Sequence, residues 1–338
     1  MNEYVSLSHG SGGRQSRDLI KKVFTERFGI AEPLTDSAII DESFPPGSRV
    51  VITTDAYVVD PLFFPGGDIG KLAVTGTIND IAVSGARIAA IAASFIIEEG
   101  FPVNDLVKIA ESMALEAERA GTRLVSGDTK VVGKGKCDKL FITTTGTGFV
   151  LPQHKHISSG LKVTEGDRII INGSVGNHAI AVLGARNDLS FKTEVLSDCR
   201  ALNRLTEKIL DNCREIHFMR DLTRGGLAAV LNELKAMVKC LISINEDSVP
   251  VDEPVRGLCE VLGFDPFSLA NEGKLIVVAG KNEFRKVLEI MQSDPSGCDS
   301  SVIGEIVAGD RPAVILNTTA GGRRIVELPS GSQLPRIC

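Results

Sequence analysis

The 338 residues predict a two-domain α/β (α+β) protein with mixed sheets, helices and a flexible C-terminal tail. Three observations support this. The length suits about two domains of ordinary size. Short β-branched runs alternate with longer stretches of helical apolar spacing in both halves. Residues 151–160, LPQHKHISSG, are polar, contain proline and end in glycine, the composition of an exposed connection.

The chain opens with a glycine-rich loop at 7–14, LSHGSGGR, and a helical stretch at 15–28. Residues 49–54, RVVITT, form a buried strand running into Asp55. A helix at 69–86, a strand at 91–98, an amphipathic helix at 105–120 and strands at 123–126 and 140–150 complete a first domain, 1–150. The second domain, 160–310, starts its first strand at GDRIIING, carries helical stretches at 198–212 and 225–235, and alternates strand and helix to about 307. Gly-x-Arg before three apolar residues, at Gly47 and at Gly166, hints at internal duplication. Residues 311–338 form an extension whose last ten, PSGSQLPRIC, read as a mobile tail able to reach about 33 Å.

The net charge of -6 offers no general attraction to nucleic acid or anionic lipid. The longest nearly uncharged apolar run, 88–97, falls short of the roughly 18 residues of a membrane helix, and the N-terminus lacks a basic start and an apolar signal core. These features point to the cytoplasm. Seven cysteines, at 137, 199, 213, 240, 259, 298 and 338, form no C-x-x-C pair, so neither a disulfide framework nor a zinc site is expected. Cys338 stands apart as the last residue.

No Walker A sequence occurs, and no G-x-G-x-x-G opens a helix after a strand. The first domain instead carries aspartates at strand ends and in loops: Asp36, Asp41, Asp55, Asp80 and Asp128. If they converge they need a cation, and magnesium suits hard oxygen ligands. As separate turn and cap residues they need none, which is the simpler reading of Asp55 alone. Asp80 interrupts the apolar run LAVTGTINDIAVSGA, where an unpaired charge costs roughly several kcal/mol.

Residues 9–14, HGSGGR, can bring backbone N–H groups and a guanidinium onto phosphates, or form a flexible terminus. Lys134 and Lys136 lie in a GKGK loop that is either a lid or a solvated hairpin turn. In HFMRDLTRGG, at 217–226, Asp221 or Thr223 can cap the next helix, which leaves Arg220 and Arg224 unexplained. Glu272, ahead of the apolar strand KLIVV, is a turn carboxylate or a base.

The motifs TTDAYVV, NDIAVSGAR, SGDTKVV, GSVGNHA, MRDLTRGGLA, LANEGK and the terminal PRIC occur together in this order. The chain thereby resembles the superfamily of aminoimidazole ribonucleotide synthetase, selenophosphate synthetase and thiamine-monophosphate kinase, and within it the HypE family of hydrogenase maturation. That resemblance implies an aminoimidazole ribonucleotide synthetase-like fold whose N-terminal domains pair in a homodimer. It implies magnesium on Asp36, Asp55, Asp80 and Asp128, and ATP held by these with Gly10, Gly12, Gly13 and Thr129. It further implies ATP-dependent dehydration of an S-carboxamide on Cys338 to a thiocyanate, the source of the cyanide ligands of nickel-iron hydrogenase. Glu272 would then be the base and Lys134 would assist the phosphate, with HypF as carbamoyl donor and the HypC–HypD complex as cyanide acceptor. Two rivals are a kinase or ligase of a free small molecule, which leaves Cys338 idle, and a non-catalytic scaffold that presents its tail. Nucleotide turnover separates the scaffold from the enzymes.

Overall fold

The computed structural model describes residues 3–30, 34–35, 37–40, 43–186, 193–309, 311–328, 334 and 336–338. The stretch expected as one helix at 15–28 is a continuous helical run of three parts: α1 (Arg14–Leu19), a π-helical turn (Ile20–Thr25) and α2 (Glu26–Phe28). Gly29, at φ 64°, ends it in the left-handed region.

The first sheet comprises β1 (Arg49–Tyr57), β4 (Ala86–Glu98), β5 (Leu124–Val132) and β6 (Leu140–Val150), in the order β1-β6-β4-β5. Between them lie a small hairpin, β2 (Phe63–Phe64) with β3 (Gly67–Asp68), then α3 (Ile69–Val83) and α4 (Val103–Ala120). The two helices cover one face, and α4 makes the crossover between the parallel strands β4 and β5. Asp68 caps α3, accepting from Gly70 N and Lys71 N at 2.7 and 3.1 Å. The helix stops at Val83, short of the expected 86, because Gly85 turns at φ 82° and Ala86 already belongs to β4. Nearly every residue of α3 is buried, since it packs on β1 and β6 on one side and on the second domain on the other.

The second domain contains β7 (Arg168–Ile171), α5 (Asn177–Ala185), α6 (Asn203–Asn212), β8 (Ile216–Asp221), α7 (Gly226–Val238), β9 (Leu241–Asn245), α8 (Glu253–Leu262), β10 (Leu275–Ala279), α9 (Phe284–Gln292), β11 (Ser301–Val307), β12 (Ala313–Asn317) and β13 (Arg323–Ile325). Its strands form one mixed sheet in the order β13-β12-β9-β11-β7-β10-β8.

Two expectations need correction. Residues from 311 onward are not all an extension, because β12 pairs parallel with β9 and β13 adds the edge. The connection at 151–160 is not simply exposed: His154 and Ile157 are buried, and Ile157 packs with Val83 and Leu202 where the domains meet. Among the described residues, no helix is long and apolar enough to cross a membrane.

Candidate active site

The site lies where β1 and α3 of the first domain meet the second. Alternation along β1 turns Thr53, Asp55 and Tyr57 toward α3, which supplies Asp80. Thr53 Oγ1 donates to Asp80 Oδ2 at 2.8 Å, and Thr77 Oγ1 donates to Asp55 Oδ2 at 3.4 Å. The charge inside the helix thus has a protein partner. Burial and the adjacent Asp80 carboxylate push Asp55 up to about 6. Asp221 ends β8 facing the same cluster, and burial with the Asp80 charge pushes it up to about 7. Glu272 is 3% exposed, and burial together with Asp198 and Asp221 raises its carboxyl well above the usual range.

Such crowding of carboxyls favours a cation. Among the described residues no three acidic, histidine or cysteine side chains converge tightly enough to hold a metal alone. Asp55 with Asp80 does fit magnesium, which takes one or two carboxylates and completes its shell with water and substrate phosphates.

The end of the tail enters this cleft within its own chain. Val58 N donates to Cys338 O and Asp60 N to Arg336 O, both at 3.2 Å, so the tail runs along the segment after β1. Arg336 reaches Val58 O through Nε at 2.9 Å and pairs with Asp138, while Arg186 donates to Arg336 O at 2.7 Å. His178, wholly buried, has Nε2 2.8 Å from Ile337 O and Nδ1 2.8 Å from Ser197 Oγ. A carbonyl only accepts, so Nε2 carries the hydrogen, and burial holds the ring below the ordinary histidine range in this neutral form. These contacts leave Cys338 9% exposed, its Sγ 3.4 Å from Arg224 Nη1. Burial first, and the Glu272 charge second, raise the thiol to about 11, so the docked sulfur is a thiol at neutral pH.

A strap at 195–202 joins tail, cleft and both domains. Ser197 N donates to Pro65 O, and Asp198 accepts from Glu272 N and Gly273 N at 3.1 Å each and pairs with Lys274 at 3.3 Å. Burial acts to raise Asp198, but the Lys274 charge and the backbone donor outweigh it and leave the carboxylate below its usual range. Asn79 on α3 donates to Arg200 O and Glu272 O and accepts from Leu202 N, tying the strap to the first domain. The candidates named from sequence do not include His178, Ser197 or Asp198. GSVGNHA and LANEGK were the only signals near them.

Of the candidates from sequence, Asp55, Asp80, Glu272 and Cys338 come together. Asp128 does not join them. Pairing runs Asp55–Thr144–Ala93–Gly127 across the sheet, so Asp128 points to the opposite face, which no described helix covers and where it pairs with Lys130 at 2.6 Å. Thr129 faces inward and, with Asp128, lines a cavity of about 640 Å³ that Phe24, Phe28 and Phe95 also line. Gly10 ends a short 3-10 turn that packs against β5, where a Cβ would come 2.9 Å from Val131, and Gly12 sits at φ 79°. Gly13 precedes α1. Lys134 is exposed on the β5–β6 loop, whose Asp138 holds Arg336. Asp36 and Asp41 lie outside the described residues.

The two domains correspond to the AIR synthase related proteins, whose N-terminal domain profile matches residues 34–150 and whose C-terminal domain profile matches 164–317. The carbamoyl dehydratase HypE of Rhodobacter capsulatus is 46% identical, over 100% of this chain and 99% of its own, and that of Azotobacter vinelandii is 47% identical, over 100% and 98%. A hydrogenase maturation protein HypE solved in complex with ATP superimposes with a TM-score of 0.91 at 42% identity, over 98% of this chain and 99% of its own. A HypE–HypF complex matches with a TM-score of 0.80 at 44% identity, over 92% and 99%. The chain belongs to the HypE family of carbamoyl dehydratases, enzymes of hydrogenase maturation.

Proposed function

We propose that this chain dehydrates an S-carboxamide carried on its own Cys338 to a thiocyanate, with ATP converted to ADP and phosphate. The observation that carries this reading is the docked thiol, set between the Arg224 guanidinium and the buried Glu272 carboxyl beside the Asp55–Asp80 pair. A kinase of a free small molecule would find its cleft filled by that tail.

Oxygen is a poor leaving group from an amide. Transfer of the γ-phosphoryl group to the carboxamide oxygen turns it into phosphate, and loss of both nitrogen-bound protons then leaves carbon triply bonded to nitrogen. The oxygen departs in inorganic phosphate, one proton goes with it, and the other is released. Glu272 in its ionised form accepts a proton from nitrogen, and its raised proton affinity makes that form a stronger base than an exposed carboxylate. Asp55 and Asp80 would hold magnesium, which when bound would offset charge on the phosphoryl group, and Lys134 would assist from its loop. Gly10 packs against Val131 of β5, the strand whose Asp128 and Thr129 line the cavity, and we assign the nucleotide to that side, with Gly12 and Gly13 in the loop that follows Gly10. The ATP-bound relative supports nucleotide binding.

The relative crystallised with HypF supports HypF as the carbamoyl donor. The HypC–HypD complex is the acceptor of the cyanide, and the reaction belongs in the cytoplasm. Two copies pair through the uncovered face of the first sheet. Replacement Cys338→Ala is expected to leave folding and ATP binding intact yet abolish the gain of a carbamoyl group's mass on incubation with HypF, carbamoyl donor and ATP. Appearance of that mass on the variant would return the protein to the small-molecule class.

A further inference from the structure

We infer that Arg224 and Glu272 together form a receptor for a primary carboxamide, in which Arg224 holds the oxygen for phosphorylation, so that the site grips the loaded tail and lets go of the nitrile. This rests on the dehydration of a Cys338-bound carboxamide proposed above. It also accounts for the part of HFMRDLTRGG that capping does not explain. Arg220 is engaged with Glu233 at 3.3 Å, whereas Arg224 makes no ion pair among the described residues. Its hydrogen bond is to the Cys338 sulfur, a weak acceptor. Opposite it, the Glu272 carboxyl is 3% exposed and makes no side-chain hydrogen bond among the described residues. An exposed guanidinium whose hydrogen bond within the protein goes to a weak acceptor, and a buried carboxyl with no side-chain donor among the described residues, therefore flank the same sulfur.

The backbone fixes this pair together. A Cβ at Gly226, which sits at φ 57°, would lie 2.3 Å from Leu269 O, so the double glycine lets the turn carrying Arg224 press onto the segment leading to Glu272. Asn271 N and Nδ2 both donate to Leu222 O, at 3.0 and 3.1 Å, and Leu222 N donates to Lys274 O at 2.9 Å. A thiol offers the pair neither a carbonyl oxygen nor an N–H. A carboxamide on sulfur offers both at once, its oxygen to Arg224 and its amide hydrogens to Glu272. Held so, the oxygen is the exposed nucleophile toward the phosphoryl donor, and charge that builds on it in the transition state meets a fixed guanidinium. The thiocyanate is linear and has lost the oxygen and both hydrogens, so both contacts lapse when the reaction is over.

The test uses the full-length chain, wild type, Arg224→Lys and Arg224→Gln, each loaded by HypF and followed by intact mass. Loading is expected to be equal in all three, because it takes place with the tail outside the cleft. After ATP is added, Arg224→Gln should lose the mass of water about a hundredfold more slowly in a single turnover, with the KM for ATP within about twofold of wild type and Arg224→Lys between the two. Hydrogen exchange at Val58 N and Asp60 N, the donors to the docked tail, supplies the second readout. Loading should slow that exchange in wild type and not in Arg224→Gln. Water loss at the wild-type rate, a raised KM with an unchanged saturating rate, or equal protection of the loaded tail in Arg224→Gln would each overturn the assignment. Failure of wild type to lose water would overturn the dehydration reading instead, and the exchange measurement would still decide what Arg224 recognises.

Discussion

Asp55 has a higher proton affinity than an ordinary aspartate because folding buries it beside Asp80. Its folded value of about 6 lies above its unfolded one, so what it adds to stability is complete at low pH and is lost as pH rises through about 6. Asp55→Asn removes that penalty. The variant should therefore melt higher than wild type above about pH 6, with the gain vanishing below about pH 4, as differential scanning calorimetry can check. Magnesium with ATP should raise the melting temperature of wild type and lose much of that effect in the variant. A wild-type response to the metal in Asp55→Asn would remove Asp55 from the cation site. Asp80 was legible in the sequence because a charge inside an apolar helical run demands a partner. His178 and Asp198 were not, since their partners lie 159 and 74 residues away and only folding brings them near.

Sheet registers explain both what periodicity revealed and what it hid. The strand β1 was readable but was expected to be buried; instead one face, with Thr53 and Asp55, is covered and the other, with Val50 and Ile52, is exposed. Asp128 also follows a strand start, but whether it shares a face with Asp55 depends on three pairings across four strands, which a linear reading does not contain. The connection at 151–160 misled for a related reason: one isoleucine in a polar segment was enough to bury it between domains. The face to which Asp128 points is apolar, and among the described residues no helix covers it, Phe44 packing only on Phe149 at 4.9 Å. Val50 is 63%, Ile52 70% and Ile96 42% exposed, and pairing puts Phe141 and Phe149 on the same side. A bare apolar sheet face of this kind calls for a partner. Ile52→Glu is expected to halve the mass measured by light scattering without unfolding the chain. A wild-type chain that is already monomeric would rule out pairing through this face.

Across the whole molecule, the cleft exists because α3 is buried from both sides: the first sheet packs on one flank and the second domain, through the strap at 195–202, on the other. The two-domain plan was legible from alternating strand and helix signals, whereas the docked tail was not. Its composition suggested mobility, and what holds it in the cleft is a set of backbone and side-chain contacts to Val58, Asp60, Asp138 and His178, residues scattered along the chain. Docking turns the last residue into a tethered substrate, so the reacting group needs no binding site of its own beyond the small pocket around the sulfur. The central claim is that the carboxamide oxygen is the atom phosphorylated. Loading Cys338 with a carboxamide carrying heavy oxygen and following a single turnover with ATP tests this directly. The label should appear in inorganic phosphate as the chain loses the mass of water, and label released as water with unlabelled phosphate would contradict the account.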